Sequence, residues 1–309
     1  MFKRCSALLL CLAALLGMTA CGGGQPDSGA ESAGKLKVSV TFNAIKEFAA
    51  AVGGDKVEVS AIIPDGMEAH DFEPKAQDLV SLGEAQVFIR NGLGMESWAE
   101  DAVRAVDNPN LIVVDASEGA ELIEKAQTDE HEEEHADEDG QYDPHLWLSL
   151  KGAQTEARNI RDAFIQADPA NKNDYTANCD AFTQALETLY GEYTQKFSAA
   201  TQKTFVTGHA AFGYLCRDFG LTQNSVSDVF AEGEPSAQQL AALVEYCRER
   251  HVTTIFAEEL ASPEVSQTLA DEVGAKVETI YTMESAEDGK TYLERMEDNL
   301  RKIADSLSV

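Results

Sequence analysis

Basic residues are scarce in this 309-residue chain: 24 Lys and Arg stand against 54 Asp and Glu, for a formal net charge of −30. Nucleic acid and anionic lipid are bound through basic patches, so neither is expected as a ligand. The excess of carboxylate is compatible with attracting cations, although charge alone names no ligand. Thiolate chemistry is equally short of material. Of six cysteines, Cys5, Cys11 and Cys21 lie near the N-terminus, and Cys179, Cys216 and Cys247 form no CxxC pair. A thiolate zinc site is therefore not expected. These last three fall on apolar positions of predicted helices, as three buried free thiols or as one disulfide plus one thiol. GxSxG is missing, and the one HExxH string, His131-Glu132-Glu133-Glu134-His135, falls in an acidic low-complexity run and not on a predicted amphipathic helix, so neither common hydrolase signature is supported. The apolar run from Ser6 to Leu16 is too short to span a bilayer.

That short run follows Lys3 and Arg4 and has the form of a secretory signal. Met18-Thr19-Ala20-Cys21 ends it with small residues before a cysteine, the pattern of a lipoprotein cleavage site. Residues 1–20 then form the signal peptide. Cys21 becomes the lipidated residue, holding the protein on the outer side of a bacterial cytoplasmic membrane. Residues 21–34, opening with Gly22-Gly23-Gly24-Gln25-Pro26, read as a flexible tether. The remainder is long enough for two ordinary domains, each with its own core.

Short β-branched runs alternate with amphipathic stretches. Lys35 to Phe42, Val57 to Ile63, Ala85 to Ile89 and Leu111 to Val114 predict strands, with helical spacing over Ala76 to Leu82 and Ser97 to Val106. The alternation returns with strands at Thr204 to Thr207, Thr253 to Ala257 and Val277 to Ile280. Ser236-x-x-Gln239 caps a helix over Ala237 to Arg250, and Ser262-Pro263 opens another. The fold class is α/β, with a mostly parallel sheet flanked by helices in each of two lobes. Between them, Tyr175, Cys179, Phe182, Leu186, Leu189, Tyr193 and Phe197 advance by three or four residues, predicting one helix from about Asn171 to Ala200. The lobes are assigned to 35–165 and 201–309, with the linking segment over 166–200. A single rigid linking helix implies limited closure on a ligand. Asp129 to Asp139, carboxylates with His131, His135 and Ala136, cannot bury a core and reads as a loop, either a weak auxiliary metal collector or a solvated insertion.

Six histidines are present. His131 and His135 belong to that loop, and His251 ends a predicted helix, where an imidazolium favours the dipole. His70, His145 and His209 are different: they sit in Gly- and Pro-flanked turns, and His70 and His209 each follow a predicted strand. Ligands of open α/β sheets bind beyond the carboxyl ends of strands, where the three would converge. Three neutral imidazoles need one more donor to complete a zinc tetrahedron. Glu284, after the last predicted strand, is in the matching position. Glu258 and Glu259 compete with it, and water is the remaining choice.

His70 with Phe72-Glu73-Pro74, Asn91-Gly92-Leu93-Gly94-Met95-Glu96-Ser97-Trp98, Asp143-Pro144-His145-Leu146-Trp147, His209-Ala210-Ala211-Phe212-Gly213-Tyr214-Leu215 and Glu234-Pro235-Ser236 occur in this order. Together they resemble the substrate-binding proteins of zinc and manganese ABC importers, from about Lys35 to the C-terminus. The resemblance implies a cluster A-I type solute-binding protein: two α/β lobes joined by one long rigid helix, with the metal between them on His70, His145 and His209. Manganese-selective members resemble this chain except for a carboxylate where it has His209; three imidazoles suit zinc better. Many members carry aspartate after the last strand, whereas this chain has Glu284, as some zinc-binding members do. The implied function is an extracytoplasmic zinc receptor, not an enzyme. It works as a monomer and hands Zn²⁺ to the membrane permease of an ABC importer. A manganese receptor and a surface adhesin with a metal site are the alternatives.

Overall fold

The computed structural model describes residues 34–125, 141–229, 236–286 and 288–308. Cys21, the acidic stretch with His131 and His135, and Glu234 with Pro235 lie outside these residues. Four strands, β1 (Leu36–Val40), β2 (Val57–Ala61), β3 (Val87–Arg90) and β4 (Ile112–Asp115), form a parallel sheet in the order β2-β1-β3-β4. Four more, β5 (Thr204–His209), β6 (Thr222–Ser227), β7 (Thr254–Glu258) and β8 (Lys276–Ile280), repeat that topology as β6-β5-β7-β8. Each sheet therefore reverses its strand order at its centre, between β1 and β3 and between β5 and β7. A crevice opens beyond the carboxyl ends of the strands at such a reversal.

Helices α1 (Asn43–Gly53), α2 (Val80–Glu84), α3 (Ala99–Val106) and α4 (Leu150–Ala167) belong with the first sheet, and α6 (Gly213–Phe219), α7 (Ala237–Glu249) and α8 (Glu264–Val273) with the second. The long helix is α5 (Lys172–Ala199), whose 28 residues extend about 42 Å at 1.5 Å per residue. Its expected stripe is the face that packs: Tyr175, Cys179, Leu186, Tyr193 and Phe197 are buried, with Phe182 and Leu189 partly so. Cys179 and Asn178 contact the first lobe, Asn178 donating to the Val52 carbonyl. Phe197 packs on Phe219 of α6 in the second. One apolar cluster runs from the first sheet through α4 and α5 to Phe205, Phe256 and α9 (Tyr292–Ser306); a smaller one lies between the second sheet and α7 and α8.

Of the local signals, the capping box at Ser236 is realised as read. Ser236 and Gln239 form both halves of a capping box, as do Thr291 and Glu294 at α9. Pro263 sits one position before α8 rather than inside it. The helix expected over Ala76 to Leu82 begins only at Val80. Asp78 accepts the Lys75 N–H at 2.8 Å and returns its own N–H to the Lys75 carbonyl, closing a turn where the first helical turn was expected. The three cysteines are buried free thiols, so the disulfide alternative is not realised.

Packing of α4 buries one carboxyl group at a cost. Glu156 is fully buried, and neither side-chain oxygen has a hydrogen-bond partner. Burial, reinforced by the nearby Glu96, raises its pKa from 4.5 to about 8. Between those values the unfolded chain releases a proton that the native state keeps, so stability falls as pH rises across that window. Glu156→Gln keeps the shape of the neutral acid. We expect its unfolding free energy to lie within about 1 kcal/mol of the parent's near pH 5 and to exceed it near pH 8 by a margin on the order of 4 kcal/mol. Urea unfolding from pH 5 to 9 tests this, and parallel pH profiles would refute it.

Candidate metal centre

The carboxyl ends of both sheets deliver the candidate ligands to one place. His70 follows β2, His209 is the last residue of β5, Glu258 the last of β7, and Glu284 comes four residues after β8 ends at Ile280. His145 precedes α4 on a segment from β4. Nε2 of His70 lies 3.1 Å from Nε2 of His145, which lies 3.3 Å from Nε2 of His209. One donor atom from each of the three falls within 4.8 Å of the others, the only such group among the described residues. Zinc nitrogens at about 2.0–2.1 Å in a tetrahedron are about 3.3 Å apart, so this spacing fits a shared ion. His145 is fully buried and His209 nearly so, whereas His70 is half-buried.

Protonation follows from this crowding. Burial, then the charges of His145 and His209, drives the His70 pKa down to about 2. Burial also lowers that of His145 against the opposing pull of Asp143. Both rings are neutral at pH 7 and can offer a lone pair. Burial acts downward on His209 as well, but Glu258, Glu284 and Glu68 outweigh it and raise its pKa.

Carboxylates hold two of the rings from behind. Asp143 Oδ1 accepts the backbone N–H of His145 at 2.9 Å and lies 2.9 Å from its Nδ1. A carboxylate accepts, so Nδ1 carries the proton and Nε2 presents its lone pair to the centre. Glu258 Oε1 accepts the His209 N–H at 3.0 Å and faces Nδ1 at 3.6 Å, a charge contact longer than a hydrogen bond. Such partners fix ring orientation at metal sites. The sequence carried a hint of the first, a carboxylate two residues before His145 in a proline turn. Glu258 was weighed there only as a ligand, and its orienting contact depends on β5 and β7 lying side by side.

Glu284 sits on a tightly held turn. Glu259 accepts the N–H groups of Thr282 at 2.7 Å and Met283 at 2.9 Å. This supports Met283 in a left-handed conformation, φ 65°, that is costly for a side chain of its size. Glu284 follows, fully inside, with Oε2 accepting the Ala69 N–H at 2.9 Å and Oε1 lacking a hydrogen-bond partner. Burial, then the charge of Glu68, raises its pKa to about 8. Among the described residues, no carboxylate joins the three histidines at the 4.8 Å spacing.

Comparison with known proteins points the same way. The family model described as ZnuA, zinc-uptake complex component A periplasmic, matches residues 38–306. A putative metal-binding protein of Treponema pallidum (strain Nichols) is 43% identical over 304 residues, covering 97% of this chain and 96% of that protein. The high-affinity zinc uptake system protein ZnuA of Bacillus subtilis (strain 168) is 36% identical over 323 residues, covering 100% and 99%. Among solved structures, the laminin-binding protein Lmb of Streptococcus agalactiae, described as a bifunctional adhesin and metal transporter, superposes with a TM-score of 0.79. It is 34% identical and covers 88% of this chain and 99% of its own. With the fold, the ordered motifs and these matches in agreement, the chain belongs to the periplasmic zinc-uptake component A family.

Proposed function

We propose that this protein is the extracytoplasmic receptor of a zinc ABC importer, binding Zn²⁺ on His70, His145, His209 and Glu284 and passing it to the membrane permease. The convergence of three imidazole Nε2 atoms at 3.1 and 3.3 Å carries this reading. An all-imidazole trio favours zinc over manganese, which prefers oxygen donors. Glu284 is the best fourth donor because its buried Oε1 has no other hydrogen-bond partner. Of its competitors, Glu259 is engaged by two backbone N–H groups and Glu258 by His209. One chain supplies all four donors, so a monomer suffices. Anchorage through Cys21 belongs to the same reading and keeps the receptor beside its permease. The likeness to the bifunctional Streptococcus agalactiae protein supports adhesion only as a second role at the cell surface.

The test is elemental analysis with zinc titration of the full chain and its variants. One tightly bound zinc per chain is expected, with manganese failing to displace it. His209→Ala is expected to lose at least about 100-fold in zinc affinity, since it deletes a ligand and leaves a buried carboxylate beside the gap. Binding indifferent to His209, or a preference for manganese, would misplace both site and cargo. Glu284→Gln separates the fourth-ligand choices. A drop of about 10-fold or more is expected if the carboxylate binds the ion, and unchanged affinity would hand the position to water. The zinc-free protein is expected to keep its far-UV circular dichroism, because two apolar clusters hold it together.

A further inference from the structure

Two glycines stand against the carboxylates that hold His145 and His209. A Cβ built on Gly208 would lie 2.0 Å from Glu258 Oε2 and 3.0 Å from its Cδ. A Cβ on Gly213 would lie 2.6 Å from Asp143 Oδ2. Neither glycine has a positive φ, so neither is required by its backbone conformation. What each provides is room. The register places Thr207 opposite Phe256, and two residues on, His209 and Glu258 stand beside each other, with Gly208 of β5 against the carboxylate. Gly213 opens α6 of the second lobe and faces Asp143, which comes from the other side of the crevice.

We propose that Gly208 and Gly213 are positioning residues for metal capture: each leaves the space in which a buried carboxylate, Glu258 or Asp143, holds a ligand imidazole with Nε2 toward the ion. The inference rests on the zinc-receptor reading. The atoms in conflict are the far ends of side chains and not backbone. A methyl group at either position therefore pushes the carboxylate off its histidine while the strand and helix stay in place. Loss of such a partner commonly costs 10- to 100-fold in metal affinity. The same device serves both rings, once within a lobe and once across the crevice, so two of three ligands share one steric requirement.

The experiment measures zinc affinity by chelator competition, the visible spectrum of the Co²⁺-loaded full chain, and the melting temperature of the zinc-free form. Gly208→Ala and Gly213→Ala are each expected to weaken zinc binding about 10- to 100-fold and to shift the Co²⁺ bands. Their zinc-free melting temperatures are expected to stay near the parent's. Gly83→Ala and Gly191→Ala, where a Cβ meets nothing within 4 Å, are expected to leave zinc affinity and the Co²⁺ bands unchanged and, as helical glycines, only to raise the melting temperature. Glu258→Gln and Asp143→Asn are expected to imitate the glycine variants. Combining each with its own glycine variant is expected to add little, because both members act through one contact. Parent-like zinc affinity and Co²⁺ spectra in both glycine variants, or fully additive losses in the double variants, would overturn the proposal while leaving the receptor reading intact. A glycine variant that fails to fold refutes the premise that the strand or helix stays in place and overturns the proposal for that position. A parent that takes up no zinc removes the receptor reading and this one together.

Discussion

An imidazole nitrogen at 3.1 and 3.3 Å from two others is an arrangement that suits a shared cation, since converging lone pairs repel one another unless a cation or a proton lies between them. Much of the remaining structure can be understood as what it takes to hold them there. Burial keeps His70 and His145 neutral, and carboxylates behind His145 and His209 fix which nitrogen faces inward. The charges acting on His209, from Glu258, Glu284 and Glu68, are all negative. A dication entering this group would meet two imidazoles held neutral, His70 and His145, and neighbouring carboxyl groups whose charge favours it.

The donors do not divide cleanly between the lobes. The turn carrying Glu284 follows the second sheet in sequence but is tied to the first lobe. Asn43 Nδ2 donates to the Met283 and Ser285 carbonyls, Gly66 N–H donates to Ser285 Oγ at 2.9 Å, and Ala69 N–H to Glu284. Conversely, the segment carrying His145 is gripped from the second lobe, where Tyr214 donates to the Asp143 carbonyl and Trp147 Nε1 donates to the Thr282 carbonyl at 2.7 Å. Trp147, fully buried, also packs its ring on Phe42 and accepts from Tyr292 Oη through its carbonyl. Each lobe thus steadies a donor segment that the other lobe's side of the crevice supplies.

This interlocking explains what the sequence could and could not disclose. Strands rich in Val, Ile and Phe were legible because burial on both faces selects such runs. The edge strand β6, Thr222–Ser227, reads as a polar turn and shows itself only through pairing with β5. The helix α9 carried a legible start in Thr291 and Glu294, the same signal as Ser236 and Gln239, and could have been found. The three histidines were visible as turn residues near strand ends, but their common meeting point depends on two sheets folding alike. The roles of Gly208, Gly213 and Glu258 are contacts between distant segments and leave no local pattern.

Resistance to opening is uneven around the crevice. On one flank Arg295, nearly fully buried, pairs with Glu47 of the first lobe at 2.8 Å and with Asp288 at 2.6 Å. Separating the lobes there would strip a buried cation of a partner, a change that costs several kcal/mol. The long helix α5 adds aromatic packing to both lobes along its length. The segment from Pro64 to Phe72 is held by bonds to Ser285, Glu284 and Ala286 and by packing of buried Phe72 on Trp98, and it bears half-buried His70 with exposed Met67. His70 is thus the most exposed of the three histidines, whereas His145 and its carboxylate are enclosed by contacts from both lobes.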